Sequence, residues 1–286
     1  MKDSKRVVIL ITVHQPTFTP LEEISLRQCF KVLGHYPIRL VCPEGMDTSA
    51  YRAVIPQIEV DHIPPHWQSS YANFTLMKIE PFLYRRYAAY EYVLFYELDA
   101  FVFRDDLAAW CDRGLDYIGA PWFEGMVAAK ENAAVHGVGN GGFSLRKVSA
   151  MLRGRLSKRL WLRLLATEAR RQPLQALRRA VTDLPRMLLG GDTTIHYTRG
   201  EDSFWGLVVN RHLPWFKVAS FDEARQFSFE TLPRRLFKLN GERLPFGCHA
   251  WTRYDLDFFR PHVEACGYNL EGLVPRSTFH TLEKVG

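Results

Sequence analysis

Apolar residues gather in short uninterrupted runs along the first third of the chain. Val7–Val13 is β-branched at most positions, the pattern of a strand covered on both faces in a parallel sheet. Thr19-Pro20 then opens a helix with Leu21, Ile24 and Leu26 as its apolar positions. Pro37–Cys42 reads as a second strand, Ile55–Val60 as a weaker third and Tyr92–Tyr96 as a fourth. Tyr71–Tyr90 has helical spacing broken at Pro81. Strands alternating with helices predict a parallel α/β sheet. Ligands of such sheets sit at the carboxyl ends of the strands, so the residues that follow each run carry the functional question.

After the fourth strand comes Glu97-Leu98-Asp99, then a second apolar run, Ala100–Phe103. Carboxylates between apolar runs lose hydration unless a cation or hydrogen-bond donors meet them. A divalent ion such as Mg²⁺ or Mn²⁺ takes one or two carboxylates and shares its other positions with water and substrate phosphate. The plainer alternative is an aspartate capping a turn and a glutamate paired with an arginine. Asp116–Trp122 is a short strand ending in a rigid aromatic turn, and Gly137–Arg146 packs four glycines into six residues. Such glycines permit positive φ or a close backbone approach to a ligand, or simply a tight bend before the strand Gly142–Leu145. The segment lacks the Gly-Lys-Ser/Thr of a phosphate loop and does not follow the first strand, so it is not a dinucleotide fingerprint. Gly200–Gly206 sets Glu201 and Asp202 at the mouth of an apolar helix, as caps or as a general base. His249 stands on a short strand within Leu244–Trp251, a core histidine unless Asp99 already holds a metal.

Composition narrows the classes. The chain of 286 residues is 47% hydrophobic and 24% charged, enough for a substantial core without staples. We expect one domain over 1–286, with a basic helical insertion at about 151–195. Five widely spaced cysteines and no CxxC favour reduced thiols in the cytosol. No run is long enough for a membrane span, and Val7–Val13 reads as a strand and not a signal peptide. The net charge is +6, and Met151–Leu188 alone holds ten basic residues against Glu168 and Asp183. Leu156–Leu165 places Leu160, Trp161 and Leu164 on one side of a helix and Lys158, Arg159 and Arg163 on another; Pro173 interrupts, and Leu174–Leu189 is again amphipathic and basic. This pattern fits either an anionic membrane surface or a helical pair packed on the core with a solvated charged face. Nucleic acid is not expected, because few aromatics interleave with the charges and no such motif occurs.

Taken together, Tyr90–Phe103, Asp116–Trp122, Gly137–Arg146, Gly200–Trp205 and Leu244–Trp251 resemble an uncharacterised family of GT-A-like glycosyltransferase domains. The resemblance runs from Val7 to about Trp251 and leaves out the basic stretch up to Thr198. It implies a Rossmann-like α/β fold with a mixed, mainly parallel sheet flanked by helices. It implies that Thr12, Val13, His14, Lys78 and Glu97 bind the nucleotide of a sugar donor, UDP-sugar being favoured. By the same resemblance Asp99 and His249 hold Mn²⁺ or Mg²⁺. Asn140, Gly141, Gly142 and Trp205 face the donor sugar or acceptor, and Asp202 with Glu201 supplies the base of an inverting transfer. The second acid of a DxD motif is replaced by Phe101, so either Glu97 and Asp99 form a variant pair, or Asp99 acts with His249, or cations such as Lys78 hold the phosphates.

The implied acceptor is a saccharide or lipid-linked hydroxyl in surface polysaccharide or glycoconjugate synthesis, with the protein cytoplasmic or peripheral on the inner face of a membrane. Two other classes would use the same residues. A non-catalytic nucleotide- or saccharide-binding module would stack sugars on Trp67, Trp122, Trp205, Trp215 or Trp251 and need neither acid. A metal-dependent nucleotide-sugar hydrolase or nucleotidyltransferase would use the carboxylates without a sugar acceptor.

Overall fold

The computed structural model describes residues 6–189, 191–193, 197 and 200–275. The first run forms β1 (Val7–Thr12), buried at every position. Its alternate side chains feed two cores: Val7, Ile9 and Ile11 on one face, Val8 and Leu10 on the other. Helix α1 (Pro20–Leu33) starts at a capping box between Thr19 and Glu22, with Pro20 at the first turn, where its missing N–H costs nothing. β2 (Ile38–Pro43) follows, then the short helix α2 (Ser49–Val54) and β3 (Glu59–Ile63).

The expected third strand, Ile55–Val60, is therefore corrected. Ile55 caps α2, Pro56 and Gln57 turn, and the ladder begins only at Glu59. Ile55 and Ile58 are apolar because they plug the core beside the turn. Helices α3 (Tyr71–Met77) and α4 (Pro81–Arg86) precede β4 (Tyr92–Tyr96), so the helical stretch does break, across Lys78–Glu80.

The chain continues through β5 (Phe101–Val102), α5 (Leu107–Asp112), β6 (Tyr117–Ile118), β7 (Ala120–Phe123), β8 (Val135–Gly139) and β9 (Phe143–Lys147). The main sheet has the order β3-β2-β1-β4-β9-β6. β1 to β4 are mutually parallel, and β9 runs antiparallel between β4 and β6. The fold is thus an α/β sheet, mixed and mainly parallel, flanked by helices. A small sheet joins β5 to β10 (Ser228–Phe229) and β11 (Gly247–Cys248), over a third core that contains Phe101, Trp251, Phe258 and Phe259. β7 and β8 pair on their own. All five cysteines are free thiols, and only Cys266 is not buried.

The basic stretch folds as α6 (Val148–Arg155), α7 (Lys158–Ala169) and α8 (Pro173–Leu188). Leu160 and Trp161 are buried and Leu164 packs beside them, as their spacing predicts. Arg155 is not on a solvated face. It is buried, and one guanidinium nitrogen meets both carboxylate oxygens of Glu80 at 2.8 and 2.7 Å. The expected end of the stretch, at about 195, and Thr198 lie outside the described residues. Among the described residues no helix is long and apolar enough to cross a membrane.

Candidate active site

The carboxyl ends of β1 and β4 open onto one edge of the sheet, where Thr12, Val13, His14 and Glu97 follow in sequence. Thr12 and Val13 are buried, and His14 is exposed. Glu97 leaves β4 with its N–H donating to the Gly142 carbonyl at 2.7 Å, and Ala100 N–H closes a turn on the Glu97 carbonyl at 2.8 Å. This turn presents Asp99 before the chain re-enters the core as β5.

Antiparallel pairing then delivers the histidine. β11 sets Cys248 opposite Phe101 and Gly247 opposite Val102, so the residue after Cys248 falls beside the Asp99 turn. His249 Nε2 lies 3.1 Å from Asp99 Oδ1 and 3.7 Å from Glu97 Oε2. Phe101 itself is fully buried against Trp251, so an acid at that position would have no place in this turn.

Glu97, Asp99 and His249 offer ligand atoms that all lie within 4.8 Å of one another. Two carboxylates and one imidazole suit Mn²⁺ or Mg²⁺, which prefer oxygen and tolerate one nitrogen. The space beside the histidine is kept by a missing side chain: a Cβ on Gly142 would stand 2.0 Å from His249 Nε2. These residues fit a divalent cation. Glu97, expected with the nucleotide, is placed with this ligand group.

The ring is oriented from behind. Glu230 Oε1 lies 2.9 Å from His249 Nδ1, and Glu230 Oε2 accepts from Trp122 Nε1 at 3.0 Å. A carboxylate on the far nitrogen fixes a metal-type histidine and leaves Nε2 to face the other ligands. Glu230 carried no signal of its own in the sequence, although it follows the short strand β10 just as Glu97 follows β4. Burial works against the His249 imidazolium, but Asp99, Glu230 and Glu97 outweigh it and hold its pKa well above that of an ordinary histidine.

Lys78 closes the other side. It is buried at the end of α3, where its carbonyl accepts from Tyr84 Oη at 2.7 Å and from Trp205 Nε1 at 3.0 Å. Its ammonium pairs with Glu97 and stands 3.5 Å from Glu201 Oε1. Burial pushes the Glu97 carboxyl up, but Lys78 and His249 outweigh it and hold it well below the usual carboxylate range. Lys78, expected with the donor nucleotide, is placed among the site's acids, with its charge paired to Glu97 and close to Glu201.

Glu201 is likewise an anchor. Only 5% exposed, it accepts from Arg146 Nη2 at 3.0 Å. Arg146 is wholly buried, spans Glu201 and Tyr84, and lies over the Phe95 ring at 4.3 Å. A single arginine inside the buried strand β9 was the sequence signal for it.

Asp202, next to Glu201, stays half-buried, and among the described residues no cation pairs with it as Arg146 pairs with Glu201. Its Oδ1 accepts from Ser203 N–H at 2.7 Å. Burial, then the charges of Glu201 and Glu230, push its carboxyl up to about 7. Its backbone leads into a π-helix, Phe204–Val209, that carries Trp205 into the core. Trp205 is fully buried and stacks on Phe216; the expectation that it faces a sugar is corrected. Trp122 and Trp251 are buried too.

The glycine-rich turn lies between the two acid groups. Asn140 takes φ 82° and its Oδ1 accepts from Gly142 and Phe143 N–H at 2.9 and 3.2 Å. A Cβ on Gly141 would stand 2.2 Å from Glu201 Oε1. The segment is a tight bend and a close approach at once, and the approach is to the site's own acids. A surface recess of about 1010 Å³, with Arg104, Trp110, Arg225 and Arg243 in its lining, contains none of these residues.

The sequence matches, over residues 57–249, a family described as a protein of unknown function (DUF5672). The matched span encloses the basic helices, which the motif resemblance had left out. No curated protein matches. Similar solved structures include the galactosyltransferase LgtC in complex with donor and acceptor sugar analogs: 12% identity, 90% of this chain and 95% of that one, TM-score 0.49. Mouse xyloside xylosyltransferase 1 in its apo form is similar at 12% identity, 85% and 96% coverage and TM-score 0.48. A glycosyltransferase involved in glycosylating the major capsid of PBCV-1 follows at 10% identity, 91% and 99% coverage and TM-score 0.41.

Proposed function

The chain belongs to the DUF5672 family, and we propose that its site is that of a nucleotide-sugar-dependent glycosyltransferase working by single displacement with inversion. One observation carries the reading. A three-ligand set for a divalent cation and a half-buried carboxyl with a pKa of about 7 flank the same glycine turn. The likeness of the sequence motifs to GT-A-type transferases points the same way.

Asp202 is the base. A carboxylate titrating near neutrality is ionised in a useful fraction and binds a proton strongly, the balance that general-base catalysis needs. The Ser203 N–H orients the group and stabilises its ionised form. Asp202 takes the proton from an acceptor hydroxyl as that oxygen attacks the anomeric carbon. Glu201 keeps its neighbour in place through Arg146 and repels a second negative charge, which sustains the basicity of Asp202.

Glu97, Asp99 and His249 would hold Mn²⁺ or Mg²⁺, and a cation there neutralises the charge of a departing nucleoside diphosphate. Glu230 and Trp122 hold the His249 ring against rotation. Lys78 stands between Glu97 and Glu201 and screens the two carboxylates from each other. Thr12, Val13 and His14, at the end of β1, are the proposed base-and-ribose side of the donor site; UDP-sugars are the first donors to test.

The experiment is thermal shift with UDP, GDP, CDP and dTDP, each with and without Mn²⁺, on wild type and Asp99→Ala. Ligand at about 100 times its Kd adds about 2.7 kcal/mol of stability. A shift for one nucleotide that needs both Mn²⁺ and Asp99 is the expected result. No shift with any nucleotide would overturn the transferase reading.

A further inference from the structure

Helix α8 is turned inside out. Its apolar positions Leu174, Leu177, Val181, Leu184 and Leu188 recur at intervals of three and four residues and so share one face. On a surface helix of a globular protein that face lies on the core. Here it faces outward: Leu174 is 74% exposed, Val181 66% and Leu188 77%.

The inner face is the polar one. Ala176 and Asp183 are buried against α7. Asp183 Oδ2 accepts from Trp161 Nε1 at 3.0 Å, and Arg179 pairs with Glu168 at 2.7 Å. Trp161 is itself buried, so α8 is pinned in this orientation from the body of the protein. Burying Ala176 and partnered polar groups while exposing five large apolar side chains forfeits hydrophobic stabilisation, unless something apolar covers the stripe.

Charge identifies the occupant. Of the ten basic residues in Met151–Leu188, eight are exposed; Glu168 is only partly accessible and Asp183 is buried. Arg178 follows Leu174 by one turn and borders the stripe, with Arg170 and Arg171 exposed at the turn before α8 and Arg186 near its end. A second copy of the chain would set this charge against itself. An anionic lipid bilayer offers both missing partners: acyl chains for the leucines and headgroup phosphates for the arginines. We propose that α8 is an interfacial membrane-docking helix that binds anionic bilayers through its outward leucine stripe. The proposal is independent of the transferase reading.

Flotation of the full-length protein with lipid vesicles tests it. Vesicles of phosphatidylcholine containing about one-third phosphatidylglycerol should carry the protein at low salt, and release it when ionic strength reaches about 0.5 M. Pure phosphatidylcholine vesicles should carry much less. Leu177→Ser, Val181→Ser and Leu184→Ser together should lower partitioning about tenfold or more. Circular dichroism should show an unchanged melt, because these side chains face away from α7. Arg178→Gln and Arg186→Gln should each lower partitioning about fivefold and give a second variant set that leaves the stripe intact. No flotation with anionic vesicles at low salt overturns the proposal, as does flotation unaffected by the serine variant. A dimer seen by light scattering that the serine variant splits, without flotation, assigns the stripe to a second copy and overturns it as well.

Discussion

The acid site and the α7–α8 pair solve opposite problems. At the site, charged side chains are drawn in among apolar strands, and each is held by another charge: Lys78 by Glu97 and Glu201, Arg146 by Glu201, His249 by Asp99 and Glu230. In α8 Arg179 and Asp183 also turn inward and find partners, yet the large apolar side chains turn out. The difference is what remains unsatisfied. At the site it is electrostatic, an acid set with one side chain a third exposed at Asp99. On α8 it is hydrophobic. An acid set whose geometry fits a cation marks the first region, and an uncovered apolar stripe marks the second.

Five substitutions break or sharpen this contrast. Asp202→Asn should lower turnover by about 10²–10⁴-fold, the scale of a lost general base, with donor affinity little changed. The wild-type rate should fall on the acid side with a midpoint near 7. The same group carries a stability signature of defined sign. Its folded pKa is raised from 3.8 to about 7, so its stabilising contribution is full below the unfolded value and lost as pH rises through the folded one. Asp202→Asn should therefore melt higher than wild type at about pH 8 and show little difference at about pH 4. A lower melt at both values would remove the burial argument.

Lys78→Met comes next. It strands two buried or half-buried acids and should cost about 3–5 kcal/mol in chemical denaturation. Glu230→Gln should weaken Mn²⁺ binding by calorimetry about 10–100-fold while leaving the fold intact, the usual effect of losing a carboxylate behind a metal-type histidine. The smallest effect falls on the helical pair. Leu177→Ser should change stability by less than about 0.5 kcal/mol, whereas Leu160→Ala, inside the core, should cost about 2–5 kcal/mol. Equal costs at the two leucines would mean that α8 is not inverted.

Hydrophobic pattern made the sheet legible because a parallel strand buried on both faces has only one way to read. Val7–Val13 and Tyr92–Tyr96 needed no partner to be recognised. β3 was misplaced because Ile55 and Ile58 are apolar for the sake of a turn, not a ladder. Asp99, Asp202 and His249 were legible as chemical types at strand and helix ends. That His249 reaches Asp99 was implied by the family resemblance and not by the residues themselves, because the contact depends on the register of β5 on β11. Glu230 and Arg146 were missed for a related reason: a charge inside an apolar run looks like noise until its partner from another segment is beside it. Trp205 misled in the opposite sense, since an aromatic near an acid pair reads as a sugar platform, and the π-helix turns it into the core. For α8 the spacing of the leucines revealed a face but not its direction. That depended on Trp161, a helix away, offering its indole N–H to Asp183.

Gly142 gives this site a genetic fragility. One base change converts a glycine codon to an alanine codon, and the methyl group so introduced would occupy the space held by His249 Nε2. The histidine would have to give up its contacts with Glu230 and Asp99, and the three ligands would no longer converge. Descendants of such a change would persist as intact proteins with a dismantled site. Within the family, the residue aligned with Gly142 should thus separate members whose three ligands can converge from those that keep only the scaffold.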